Sequence, residues 1–392
     1  MLNYKLISCD DHLDLNMLPA DLWIERVPAD LIERAPHVVE KDGRAIWVCD
    51  GENWGSWAGK AGPAGPKPVY TALDRGGIVD QTERRPGVAE LRLEDMDRDG
   101  VYTHVIFGPV TSIRHKDPVL RDLFYSIYND WLADFCQAAP DRLIGVGLLP
   151  PHPEAALAEV RRLIAKGGFK QANLQIATVE PKISDARWEP LLVEMEKAGM
   201  ILSFHVTVFA SVQKAFDPLE GSPGASLGHA KMFVEQFLEP FVDLFSFGIL
   251  ERHPKLKIVI AEAGAGWLPW IVEELDYRFW RMWEAKEFWA KRGGIPLVTK
   301  PSELFRRQVY TTFQQSDVTV ALTQFYGDNL LWATDYPHPD SIWPNSRRVA
   351  EEMMGHLPPE TMRKITRDNA ARLYGIEETS SSLEGAIAQA SP

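Results

Sequence analysis

Residues 143–206 read LIGVGLLPPHPEAALAEVRRLIAKGGFKQANLQIATVEPKISDARWEPLLVEMEKAGMILSFHV. Three short apolar runs, Leu143–Leu149, Gln171–Ile176 and Ile201–Val206, are separated by two stretches of helical periodicity, Pro153–Lys166 and Arg187–Ala198. Runs of that length bounded by turn residues read as buried strands, and the stretches between them as amphipathic helices. Pro153 stands where a helix begins, and Gly199 directly after one ends. Strand, helix and strand in succession make a parallel unit, because parallel neighbours need a crossover.

The same alternation extends outward in both directions. Further strands are expected at Tyr4–Cys9, Tyr102–Phe107, Lys257–Ala261, Gln308–Thr312 and Leu330–Thr334, with helices at Pro118–Ala139, His229–Arg252 and Trp267–Trp283. Eight strands, each followed by a helix, is the number that closes a barrel. The rival is an open doubly wound sheet, but no Gly-x-Gly-x-x-Gly follows a strand. The expected fold class is therefore α/β, a distorted (β/α)8 TIM barrel. One catalytic domain is expected over 1–375, with a frayed tail over 376–392.

Two insertions interrupt the pattern, at about Leu15–Gly87 after strand one and Val206–Gly228 after strand five. Both follow the C-terminal ends of strands, the face on which barrel active sites form. The first is read as lid-like (15–87). It holds a hairpin signal, Val38-Val39 and Ala45-Ile46-Trp47-Val48 around Asp42-Gly43, followed by a Gly/Pro/Trp-rich stretch, Gly51–Pro68, expected to be irregular. Trp47, Trp54 and Trp57 either line a pocket for an apolar or aromatic substrate or pack the insertion onto the barrel.

Composition narrows the function. The 392 residues carry 42 Lys+Arg and 55 Asp+Glu, a net charge of −13, and no basic cluster, which argues against nucleic acid as partner. No apolar run reaches the ~18 residues a membrane helix needs. The opening residues show no basic and apolar leader pattern, so a cytoplasmic location is the expectation. Three scattered cysteines, Cys9, Cys49 and Cys136, suit neither a disulfide framework nor a thiolate zinc site.

The chemistry gathers at strand ends. Asp10 and His12 close strand one two residues apart, so they share one face while Asp11 turns away. His205 ends strand five, Glu262 ends strand six in Ile-Val-Ile-Ala-Glu, and Asp335 ends strand eight in Leu-Leu-Trp-Ala-Thr-Asp. Each is the first strongly polar side chain after an apolar run. One such residue alone is a helix cap or a satisfied core group; five on one rim suit a divalent cation. His338, three residues past Asp335, is a candidate catalytic or positioning group. Arg114, after strand two, is a candidate for a substrate carboxylate. Asn173 and Gln175 on strand four leave no lysine to be carboxylated there, which favours one metal over two.

These motifs resemble the amidohydrolase-related branch of the amidohydrolase superfamily, which includes aminocarboxymuconate-semialdehyde and γ-resorcylate decarboxylases. The resemblance runs from Ile7-Ser8-Cys9-Asp10-Asp11-His12, through Ile260-Ala261-Glu262-Ala263-Gly264 and Asp335-Tyr336-Pro337-His338, to Asn369-Ala370-Ala371-Arg372-Leu373-Tyr374. It implies a divalent metal (Zn, Mn or Fe) on Asp10, His12, His205 and Asp335. It also implies Asp335 as proton shuttle, with Glu262 positioning water or substrate. The decarboxylases have a His after strand six, where this chain has Glu262. A carboxylate there is either a general base or a further metal ligand.

Two activities are thus expected: a metal-dependent hydrolase or non-oxidative decarboxylase of a cyclic or aromatic carboxyl compound, or, as the alternative, an iron-dependent, possibly diiron, monooxygenase with Glu262 as an added ligand. Relatives are commonly homo-oligomers. The helix His229–Arg252, with Phe233, Phe237, Phe241, Phe245 and Phe247, offers either a subunit contact or core packing.

Overall fold

The structure is a computed structural model that describes residues 2–57, 69–71, 77–79, 84–110, 113–207, 223–291, 297–338 and 341–376, and of 44, 56, 69–71, 77–79, 223–233 and 289–290 the backbone alone. Eight parallel strands follow one another in sheet order as in sequence and form a nearly closed (β/α)8 barrel. They are β1 (Leu6–His12), β2 (Val101–Phe107), β3 (Leu143–Leu148), β4 (Gln171–Gln175), β5 (Ile201–His205), β6 (Ile258–Ala261), β7 (Val309–Phe313) and β8 (Leu330–Trp332). Each expected strand is present within a few residues of its predicted span.

Two compact units are distinguished, Met1–Leu148 with Trp332–Pro392, and Leu149–Leu331. In the first, β1 is buried along its whole length and pairs with β2, and the pairing slips between Ser8 and Asp11. Such a bulge re-aims side chains near a site. Beyond β8 the chain continues alongside β1: Asp335 N donates to Asp10 O at 2.9 Å and His12 N to Tyr336 O at 2.7 Å. The helix Pro118–Cys136 opens with Pro118 and an Asp117 cap on Val119 N. The helix Ala89–Asp99 ends at Gly100, whose φ is +74° and where a Cβ would meet Arg347 Nε at 2.6 Å. Any other residue there would be strained by that φ and would have to displace the Arg347 side chain.

The first insertion is more regular than its composition suggests. His37–Lys41 and Arg44–Cys49 form the expected hairpin, with Asp42 and Gly43 both at positive φ. Glu52–Ser56 then adds a third antiparallel strand within the stretch expected to be irregular. Pairing with a strand already in place supplies the backbone partners that side-chain periodicity does not reveal. Residues 58–68, 208–222 and the expected tail from 377 lie outside the described residues.

In the second unit β4, β5, β6 and β7 pair in register. The helix expected over His229–Arg252 is two helices, Pro223–Ser246 and Ile249–Arg252, broken where Gly248 takes a φ of +65°. Phe237, Phe241 and Phe245 are buried, Phe241 against Trp267 and Phe305, so core packing accounts for them; Phe247 is exposed. Among the described residues, no helix is long and apolar enough to cross a membrane.

Candidate metal centre

At the end of β1, alternation brings Asp10 and His12 to one side, as the spacing predicts. His12 Nε2 lies 3.5 Å from Asp10 Oδ1 and 3.2 Å from Asp335 Oδ1, and all three residues are buried. His338 extends the cluster. Its Nδ1 is 3.0 Å from Asp335 Oδ1, its Nε2 is 2.8 Å from Asp14 Oδ2, and its ring stacks on that of His12 at 4.0 Å. His12, Asp335 and His338 each offer a ligand atom within 4.8 Å of the others.

Asp14 was not singled out from the sequence, although it continues the two-residue spacing of Asp10 and His12. Its Oδ1 accepts from Val110 N, which fixes the carboxylate under His338. The charges of this chain follow from their neighbours. Burial by itself would push His338 down, but the carboxylates of Asp335 and Asp14 outweigh it and hold the imidazole well above its ordinary value. Burial likewise would raise Asp335; His338 and His12 overcome that and hold it well below the usual carboxylate range. Asp14 is lowered in the same way by His338.

In the second unit, His205 is buried at the end of β5. Its Nδ1–H donates to Val206 O at 2.8 Å, and its Nε2 lies 3.4 Å from Glu262 Oε2. Glu262 follows β6, and its backbone N donates to Thr312 Oγ1 on β7. On β4, Asn173 accepts from Ser203 Oγ, and Lys170 before that strand is exposed.

Two of these carboxylates sit on strained backbone. Glu262 has a φ of +55° and Asp335 a φ of +58°. Among the described residues, the other non-glycine residues at positive φ, Asp42, Asp50 and Arg84, lie in turns or at a helix start. Strain at a buried strand end costs of order 1–3 kcal/mol and persists where the surroundings over-determine it, which is typical of functional positions.

A divalent cation suits these residues. The donors are hard carboxylate oxygens and imidazole nitrogens. Asp335 Oδ2 is buried with no hydrogen-bond partner among the described residues. His205 donates one ring nitrogen to a backbone carbonyl, the support commonly given to a metal-binding imidazole.

The expected substrate residues are placed differently. Trp54 is buried edge-on to Trp23 and Phe124, and Trp47 donates its indole N–H to Leu15 O, so both pack the insertion onto its own unit. Trp57 is half-buried, donates to Leu18 O and stacks with Arg84. Arg114 is half-buried on the loop after β2.

Comparison with known proteins agrees with this architecture. A family model described as amidohydrolase matches residues 68–376. A γ-resorcylate decarboxylase of Rhizobium radiobacter is 26% identical over 305 residues, covering 74% of this chain and 88% of its own. The crystal structure of an amidohydrolase from Mycobacterium avium subsp. paratuberculosis superposes with a TM-score of 0.73 at 19% identity, covering 96% of this chain and all of its own. A 5-carboxyvanillate decarboxylase of Novosphingobium aromaticivorans, solved with bound manganese, gives 0.60 at 22% identity over 72% of this chain and 80% of its own. With a matching family model over most of its length, the chain belongs to the amidohydrolase family.

Proposed function

We propose that this chain is a metal-dependent, non-oxidative decarboxylase of an aromatic carboxylate. The observation that carries the reading is the Asp14–His338–Asp335 chain, which ends on buried His12 at the C-terminal end of β1. The decarboxylase relatives support the lyase reading over hydrolysis. The oxygenase alternative, with Glu262 as an added iron ligand, finds no support among them and is set aside.

Asp10, His12, His205 and Asp335 would hold one divalent cation per chain. Manganese is the first choice, given the hard donors and the manganese in the Novosphingobium enzyme. When bound, the cation supplies positive charge that binds substrate oxygens and offsets the negative charge left on the ring. The rest falls to the chain. Loss of carbon dioxide breaks the bond between the ring and the carboxyl carbon, and a proton must take the vacated position. His338 holds that proton at Nδ1, 3.0 Å from Asp335 Oδ1, and Asp14 keeps it there until Asp335 passes it on. Glu262, on its strained turn, orients a substrate hydroxyl or water. Arg114 and Trp57 are the proposed contacts to the distal side of the ring, with Trp54 supporting the insertion behind them.

The test is a panel of hydroxybenzoates incubated with the manganese-loaded protein in D2O. Carbon dioxide release, with deuterium at the carbon that bore the carboxyl group, is the expected result, abolished in Asp335→Asn. Turnover of esters or amides with no carbon dioxide from any carboxylate would replace this reading with hydrolysis.

A further inference from the structure

A second buried polar cluster lies on the face of β1 opposite Asp10 and His12. Asp11, 0% exposed, accepts from Thr334 Oγ1 at 2.5 Å and from Tyr336 N at 3.2 Å, the residues on either side of Asp335. Thr334 N in turn donates to Ser8 Oγ at 2.8 Å. Arg92, also 0% exposed, reaches in from the helix Ala89–Asp99. Its Nη1 donates to the carbonyl of His12 at 2.9 Å and that of Pro86 at 3.2 Å, and its Nη2 to His104 Nδ1 at 3.2 Å. The guanidinium lies over the Tyr336 ring, whose hydroxyl donates to Asp95 Oδ2 at 2.6 Å on the same helix.

Burying a carboxylate and a guanidinium is costly, and apolar side chains of similar volume would fill the same space more cheaply. The cluster is not even fully satisfied: Asp11 Oδ2, Arg92 Nε and His104 Nε2 are buried without hydrogen-bond partners among the described residues. Such a cost points to a geometric task. What these groups grip is main chain or its immediate support: the His12 carbonyl, the Tyr336 amide and the Thr334 side chain. Asp335 sits between the last two on left-handed backbone, a conformation that persists only where its surroundings enforce it.

We propose that Asp11 and Arg92 are positioning residues that clamp the two ligand-bearing segments, at His12 and around Asp335, from the side away from the cation, and so set the affinity and coordination geometry of the metal centre. The proposal rests on the metal site proposed above. Neither residue touches the cation or the substrate; each acts through backbone that carries a ligand. Groups behind metal ligands typically change affinity by about 10- to 100-fold when removed.

The experiment uses the full chain stripped with chelator and titrated with Mn2+. Free Mn2+ is read by electron paramagnetic resonance, and the line shape of the bound ion reports its coordination. Thr334→Val removes one donor to Asp11 at nearly constant volume, and Arg92→Lys removes the guanidinium fork that joins the His12 and Pro86 carbonyls to His104. Ser346→Ala, which removes a hydrogen bond to buried Asp99, is the control for loss of a buried polar contact elsewhere in the same unit. The clamp variants are expected to weaken Mn2+ binding about 10- to 100-fold with an altered line shape, while Ser346→Ala stays within about twofold of wild type. Folded Thr334→Val with wild-type affinity and line shape would overturn the clamp and leave the metal site standing. Wild-type protein that binds no Mn2+ would overturn the metal site and the clamp with it. If Arg92→Lys fails to fold, Thr334→Val still decides.

Discussion

Replacing Glu262 by glycine should leave a more stable protein than replacing it by alanine, although both delete the same carboxylate. The reason is the φ of +55° at this position. A Cβ in the left-handed region costs about 1–2 kcal/mol, and glycine escapes that cost. Glycine gives back about 0.4–1 kcal/mol through the greater freedom of its unfolded chain. The difference leaves Glu262→Gly about 1 kcal/mol more stable than Glu262→Ala, and both without turnover. The comparison belongs in chelator, because a cation bound at 100 times its dissociation constant would stabilise the folded state by about 2.7 kcal/mol and blur the comparison. Urea unfolding of the two variants, followed by circular dichroism, gives the difference directly. Alanine equal to or better than glycine would refute the strained turn, and with it the argument that strain marks this carboxylate as functional.

Other outcomes follow from particular contacts. Burial pushes Asp99 up to about 7 from an ordinary 3.8, against the hydrogen bonds of Ser346 and the charges of Arg347 and Arg98. The folded state therefore binds that proton more tightly than the unfolded one. Its stabilisation is complete below about pH 4, fades as the pH rises to about 7, and amounts to on the order of 4 kcal/mol; Asp99→Asn should flatten that part of the stability profile. Asp14→Asn removes one of the two charges that hold His338 protonated. It should lower kcat about 100-fold with manganese content unchanged, and an unaltered kcat would remove His338 from the proton path. Trp54→Ala should cost about 3–5 kcal/mol, since the ring is buried against Trp23 and Phe124. A raised KM with stability intact would instead make Trp54 a substrate contact.

Much of the fold was legible because the barrel strands are short buried runs, and in β1, β5, β6 and β8 the first carboxylate or imidazole stands at the C-terminal end. Asp10, His12, His205, Glu262 and Asp335 stand out for that reason, and the pairing of Asp10 with His12 follows from alternation alone. The strand Glu52–Ser56 was not legible, because its order comes from pairing with Arg44–Cys49 and not from its own composition. The break at Gly248 was missed because the phenylalanine spacing runs straight through it. Asp14 carried a signal, the two-residue step from His12, that outlasts the strand itself. Arg92 and His104 carried none: nothing local distinguishes a guanidinium destined for the interior from one on a solvated helix face, since the partners that make its burial tolerable come from β1 and the segment after β8.

The central claim is that strand-end carboxylates and histidines hold one cation on which decarboxylation depends. The most direct test titrates chelator-stripped protein with Mn2+ while bound metal and carbon dioxide release are followed together on one preparation. The account predicts that activity rises in proportion to bound metal and saturates at one Mn2+ per chain. Activity that saturates only at two per chain, or that persists with no metal bound, would contradict it.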